Sequence, residues 1–409
     1  MKRSIDRILT THTGSLVRPR EIVDIMRQVE AGQPYDAAAL NRLLTPAVAA
    51  VVRQQAEVGI DIPSDGEFGK RGWTSYVAER LGGLESTTGA YGTLITGMAG
   101  TQHERFSGFY QIYNRIERTV WLPGNEAGTL GPADVPASTW RCTGPITYIG
   151  GAAVQRDIAN FTAALQHVQV AEAFLPVAAP CSVEASRANN YYPTEEAYLF
   201  AIADALKEEY HAIVDAGFLL QVDDAWLPAQ YARMRPQASM ADYRRYVNMT
   251  IEALNHALEG IPEERVRYHI CWGSQNVPHT WDVPLADIVD LVLRVKAQAY
   301  SIEAANPRHE HEWEVWQHTK LPDGKILIPG LISHATNVVE HPRLVAQRLQ
   351  NFARCVGREN VIAGTDCGFS QNWNLARVHP EVQWAKLEAL VEGARLASQQ
   401  LWGKAAESE

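Results

Sequence analysis

In the stretch RYHICWG, residues 267–273, a histidine and a cysteine stand two places apart, His269 and Cys271, inside a short apolar run. Residues i and i+2 of a strand point to one side, so two metal-competent side chains would face the same way. Alone, the pair is equally the content of an ordinary buried strand. Farther along, Glu303, His334 and Cys367 follow Cys271 at successive intervals of 32, 31 and 33 residues. A strand, its helix and two loops of an α/β barrel take about that length. The four residues would then sit at one height on four successive strands, at the C-terminal ends where barrel enzymes keep their chemistry.

His269, Cys271, Glu303 and Cys367 supply one nitrogen, two sulfurs and one oxygen, a set that suits tetrahedral zinc. Three anionic ligands make the metal a poor Lewis acid for generating hydroxide. Such a metal is better suited to binding a substrate thiol as thiolate, lowering its pKa while leaving it nucleophilic. The chemistry indicated is transfer of an alkyl group to zinc-bound sulfur. A zinc hydrolase would instead want several His and Asp ligands around a water-polarising metal. A metal-free decarboxylase on the same kind of barrel would leave the ligand set unexplained.

The elements that must position these residues alternate in the required way. Strand-like runs occupy 7–14, 59–67, 173–180, 218–225, 266–272, 299–305, 325–333 and 360–368. Amphipathic stretches lie between them, among them 194–217, 284–298 and 342–357. This rhythm predicts a single (β/α)8 TIM barrel spanning 1–409, with no Gly-rich nucleotide fingerprint at a strand–helix junction. Residues 86–150, rich in Gly, Thr and aromatics, read as an excursion of hairpins between strands two and three.

Bulk properties narrow the classes. The 409 residues are 46% hydrophobic, enough for a large core. A net charge of −10 argues against a nucleic-acid partner. No apolar run approaches the ~20 residues of a membrane span, and the first residues lack a signal-peptide core. The five scattered cysteines fit a reducing compartment, so a cytoplasmic enzyme acting on small molecules is expected.

With these motifs in hand, the sequence resembles the catalytic barrel of the cobalamin-independent methionine synthase family. The resemblance runs through TTHTGS (10–15), DGEFGKR (65–71), RCTGPITYIG (141–150), LQVDDAWL (220–227), HIC, SIEAA and GTDCG. It implies one zinc per chain on His269, Cys271, Glu303 and Cys367, and methyl transfer from a methyl-folate-type donor to homocysteine or a similar thiol. It also implies that groups near Gly14 and Ser15 hold the carboxylate of the amino-acid thiol, and that Glu67 and Asp223 hold its ammonium. His334 would protonate the leaving amine.

Three departures from the family bear on the donor. The second, N-terminal barrel of the full-length enzyme is missing, Asp224 and Ala225 replace the usual Glu and Pro, and CSVEASRANNYYP (181–193) replaces an aromatic stretch that stacks on folate. Tyr191 or Tyr192 are the candidates to substitute for it. The zinc-dependent epoxyalkane:coenzyme M transferases are also similar, in the HICWG and NPRHEHE regions. There the zinc-bound thiolate opens an epoxide, and the thiol's sulfonate would call on Arg18, Lys70 or Arg71. The histidines of RHEHEWEVWQH (308–318) read as structural, and His12 reads as either structural or substrate-binding.

Overall fold

The computed structural model describes residues 1–30, 33–88, 102–116, 138–185, 187–235, 237–274, 276–373 and 376–403. Ten strands form two sheets: β1 (Leu9–Thr10), β2 (Leu81–Thr88), β3 (Ser138–Tyr148), β4 (Phe174–Ala178), β5 (Arg187–Asn189), β6 (Leu219–Asp223), β7 (Val266–Ile270), β8 (Ala299–Ile302), β9 (Ile326–Ile332) and β10 (Ile362–Thr365). Seven of them make a curled parallel sheet in the order β1-β10-β9-β8-β7-β6-β4. Their residues are buried throughout, as expected of short apolar strands covered on both faces.

The expected second stave, 59–67, is the main correction to the eight-strand reading. It is reduced to a single parallel bridge between Thr11 and Ile62. Pro63 has no N–H to offer a ladder, which limits pairing there. The segment nevertheless spans the gap. Asp61 and Ile62 donate to Thr10 O, each at 3.1 Å, and Phe174 N donates to Pro63 O at 3.1 Å. Ile62 also joins Leu9, Phe174, Leu219, Ala299, Ile326, Ile328 and Ile362 in one apolar cluster. The sheet is thus curled around a common interior in a TIM-barrel-like fold.

Helices on the outside start where their caps dictate. Thr194 accepts from Ala197 N to open Glu195–Asp215, and Ser239 with Asp242 forms a capping box before Met240–Ala257. Pro342–Val356 and Pro380–Trp402 begin with proline, whose missing N–H is not needed in a first turn. The helix expected over 284–298 is broken into a 3₁₀ turn, Leu285–Asp287, and a short helix, Val289–Val292. Tertiary partners take the backbone groups a longer helix would use: Leu285 N donates to Glu312, Lys296 N to Asn255, and Tyr300 OH to Leu293 O and Val295 O.

The 86–150 excursion begins earlier than expected, at Leu81, and is not built of hairpins throughout. β2 and β3 pair antiparallel, β5 adds to β3 in parallel, and helices Gln102–Arg105 and Ser107–Ile116 occupy part of the connection. The rest of the expected hairpins, 89–101 and 117–137, lies outside the described residues. Among the described residues no helix is long and apolar enough to cross a membrane.

Candidate metal centre and active site

β7 ends by placing His269 and then Cys271 at the C-terminal edge of the sheet, and the turn after β10 carries Cys367 to the same place. The ligand atoms of these three lie within 4.8 Å of one another, and all three residues are buried. The two sulfurs are 3.7 Å apart, and Ser274 Oγ is 3.7 Å from Cys367 Sγ. Ser301, beside His269 in the β7–β8 register, has its hydroxyl 3.3 Å from His269 Nδ1. The other ring nitrogen, Nε2, is buried with no hydrogen-bond partner among the described residues. A buried polar atom of that kind calls for a ligand, and an N/S/S set with an unsatisfied imidazole nitrogen fits zinc.

The thiols are already polarised. The hydrogen bond from Cys271 holds Cys367 well below the usual thiol range against burial, with His269 and His334 adding to the effect. Cys271 is pushed up by the same hydrogen bond and by burial.

Glu303, the fourth expected ligand, stands slightly apart. It groups with His334 and Asp366, again within 4.8 Å. Trp272 N donates to its Oε2 at 2.9 Å and Arg308 to its Oε1 at 2.8 Å. Each oxygen keeps a lone pair after these bonds. Asp366 fixes the turn after Glu303 by accepting from Ala304 N and Ala305 N at 2.8 and 2.7 Å. Burial and the charge of Glu303 raise its carboxyl to about 7. His334 is buried, and burial lowers its pKa.

A second group lines the start of the chain. Gly14 has φ +133, and a Cβ built there would lie 2.9 Å from Glu67 Oε1, so the glycine gives the carboxylate room. Glu67 itself has φ +58, a strained value for a residue with a side chain, and such strain clusters at functional sites. Asp65 braces it by accepting Glu67 N at 2.9 Å. Ser15 abuts the turn after Cys367, with Phe369 N donating to its carbonyl at 2.8 Å. Asp223, at the end of β6, is in register with His269. Gln221 Nε2 donates to Asp223 Oδ1 at 2.7 Å and also to Thr13 O. Burial raises Glu67 to about 7, with the charges of Asp65 and Cys367 adding to it, and raises Asp223 well above the carboxylate range, with the charges of Glu67 and Cys367 adding to it. Among the described residues neither carboxylate forms an ion pair.

The chain can now be set beside known proteins. Residues 179–390, just over half of it, match the model of the cobalamin-independent synthase catalytic domain. The chain belongs to that family. A methionine synthase of Sulfolobus acidocaldarius is 23% identical over 404 residues, covering 98% of this chain and 95% of its own. One from Thermococcus kodakarensis is 22% identical, covering 96% and 94%. Among solved structures, a B12-independent methionine synthase from Shewanella sp. W3-18-1, in complex with selenomethionine, matches with a TM-score of 0.69 at 20% identity, over 97% of this chain and 99% of that one.

The remaining candidate residues are spread more widely. Tyr192 is tied to the small sheet, where its hydroxyl accepts Ile146 N at 2.9 Å and its ring stacks on Tyr198. Tyr191 is 52% exposed beside it. Arg18 donates to Ser370 and to Glu67 O, Lys70 to Pro176 O, and Arg71 pairs with Glu79. His12 proves to be a brace. Its Nδ1 accepts Gly14 N at 3.2 Å, so its Nε2 carries the proton donated to Gln55 at 2.7 Å. Burial lowers its pKa to about 4, which keeps it neutral.

His309 is also internal, between Asp282 and Glu312 and stacked on Trp272. Sequence reasoning missed Ser301 and Arg308. The alternation of β8 signals the first, two positions before Glu303. The second was overlooked among the histidines of its run.

Proposed function

We propose that the protein transfers a methyl or related alkyl group to the sulfur of homocysteine or a similar amino-acid thiol. The observation that carries this reading is the buried convergence of His269, Cys271 and Cys367, with His269 Nε2 unsatisfied among the described residues. These three, with Glu303 beside them, would hold one zinc ion per chain. Bound there, zinc would lower the pKa of the substrate thiol so that it reacts as thiolate near neutral pH.

The chain's own residues would do the rest. Glu67 and Asp223, buried carboxylates with no ion pair among the described residues, would take the substrate ammonium, and Gly14 with Ser15 would face its carboxylate. With an amine-type donor, an S–C bond forms as the donor's C–N bond breaks. His334 would place its proton on the departing nitrogen, and the thiol proton leaves to solvent. Amine departure needs that proton, because the unprotonated anion is a very poor leaving group. Tyr191 and Tyr192 are the candidates for contact with a flat donor such as methyl-folate.

The amino-acid thiol is favoured over a sulfonate-bearing one. Arg18 Nη1 and Nη2 donate to Ser370 and Glu67 O, Lys70 donates to Pro176 O, and Arg71 pairs with Glu79, so each of these cations already has a partner within the protein. Selenomethionine in the Shewanella relative is consistent with an amino acid in this cleft. A panel of homocysteine, coenzyme M and glutathione, crossed with methyl-folate, a sulfonium and a small epoxide and read by mass spectrometry, tests the reading. Methionine from homocysteine is expected. Preferential alkylation of coenzyme M by the epoxide would replace it with the transferase alternative.

A further inference from the structure

Neither ring nitrogen of His334 has a hydrogen-bond partner among the described residues, although the side chain is buried. A buried imidazole ordinarily has a partner that fixes its ring. Its placement here therefore rests on the packing around it and on the position of the backbone that carries it. That backbone is the loop 333–341 after β9, and it is held at several points.

Ser333 N donates to Glu340 Oε1 at 2.8 Å, closing the loop on itself. The other oxygen of Glu340 accepts from Lys386 Nζ at 2.8 Å, and the same ammonium donates to Val338 O at 2.5 Å. Asn337 ties the crown to the segment before the last helix, accepting His379 N at 2.8 Å and donating to Arg377 O at 3.1 Å. Asn276 donates to Ala335 O at 3.3 Å from the loop that follows Cys271. The crown between these anchors is exposed, with Val338 70% accessible.

The side chain of Lys386 is fully buried and that of Glu340 is 9% exposed. A buried ion pair is costly unless further hydrogen bonds use its remaining donors and acceptors. Here both partners direct those bonds to the backbone on either side of His334. A hydrophobic pair of similar volume would fill the space without making them.

We propose that Lys386 and Glu340 are positioning residues that clamp the 333–341 loop and thereby hold His334 in its place beside Glu303. The catalytic part rests on the proton-donor role given to His334 above; the placement part does not. The clamp moves no proton itself and fixes where one is delivered.

The test uses the full-length, zinc-loaded protein with ¹⁵N-labelled histidine, the His334 signals being assigned by their loss in His334→Asn. In Lys386→Met/Glu340→Leu the His334 signals should shift or broaden, with zinc content unchanged and thiol KM within about twofold. The kcat with an amine donor should fall about 10- to 100-fold, a share of what a general acid supplies, while a sulfonium donor stays within about twofold. Glu340→Gln, which keeps shape and can still accept Ser333 N, should give the same pattern more weakly and covers the case in which the double variant fails to fold. Unchanged His334 signals in a folded variant, or equal slowing with every donor, would overturn the clamp. Loss of donor selectivity in His334→Asn itself would remove the proton-donor role, and the NMR comparison would still decide the clamp.

Discussion

Cys271 and Cys367 are separated by 96 residues in the chain, yet their sulfurs lie 3.7 Å apart at one edge of the sheet. Two thiols so placed, beside an imidazole nitrogen with no partner among the described residues, make a converging set of metal ligands. Purified protein should therefore carry about one zinc per chain. Cys271→Ser and Cys367→Ser should each lose most of it, because a hydroxyl is a poor zinc ligand near neutral pH. Elemental analysis of the purified variants is the check. Wild-type zinc in both would remove the site assignment.

The pairing of Glu67 with Asp223 makes a prediction about the substrate's amine. Glu67→Gln should weaken homocysteine by about 1.5–3 kcal/mol, the range of a hydrogen bond to a charged group. A thiol lacking an amine should be nearly indifferent. Titration calorimetry on both ligands separates the cases, and equal losses would make Glu67 a structural residue.

The same carboxylate predicts a pH dependence. Burial raises Glu67 to about 7 in the ligand-free protein, so below that pH it holds a proton. An ammonium binds the ionised form, which lowers the pKa in the complex and expels the proton. Affinity for the amino acid should therefore rise with pH and level off above about 7. Methionine, which has no thiol to titrate, is the suitable ligand. Calorimetry in two buffers of different ionisation heat should report proton release near pH 6. Asp223 is raised as well and adds its own proton to the release, so Glu67→Gln should lose the share that belongs to Glu67, and a variant that keeps all of it would assign the proton to Asp223.

Much of this site was legible in the sequence, for a physical reason. A parallel α/β unit has a nearly fixed length, so Cys271, Glu303, His334 and Cys367 fall in phase, and the structure gathers them into two neighbouring clusters. β4, β6, β7, β8, β9 and β10 each fall inside an expected apolar run and are shorter than it, while only Leu9–Thr10 of 7–14 is strand. What could not be read was whatever depends on tertiary partners. The stretch 284–298 has the composition of a helix, but Glu312, Asn255 and Tyr300 take its backbone groups. The second stave is short because Pro63 cannot donate, and Lys386 gains its importance only where the last helix passes beneath the His334 loop.

Arg80 offers a stability test at the base of the β2–β3 arm. It donates to Glu209 at 2.6 Å and to Asp157 at 2.5 Å, all three buried, and Tyr148 on β3 reaches Glu209 as well. Removing the cation takes away the partner of buried Glu209, while Asp157 keeps Arg156 at 2.8 Å. Arg80→Met should cost about 3–5 kcal/mol in urea unfolding, the usual result of breaking a buried charge network on one side. A loss under ~1 kcal/mol would mean that water reaches the pair.

The last prediction separates holding the thiol from using it. His334 follows β9, between the strands that supply Glu303 and Cys367, and among the described residues neither of its ring nitrogens has a partner. It groups with Glu303 and Asp366, outside the His269, Cys271 and Cys367 set. His334→Asn should therefore retain zinc and bind homocysteine normally. Methyl transfer from an amine donor should fall by about 10²–10⁴, the contribution of a positioned general acid. A sulfonium leaves without a proton and should be nearly unaffected, while an epoxide, whose alkoxide needs one, should lie between. Rates for the three donors, with zinc measured on the same samples, decide the matter. If zinc is lost, His334 is a ligand; if every donor slows alike, it shapes the cleft without delivering a proton.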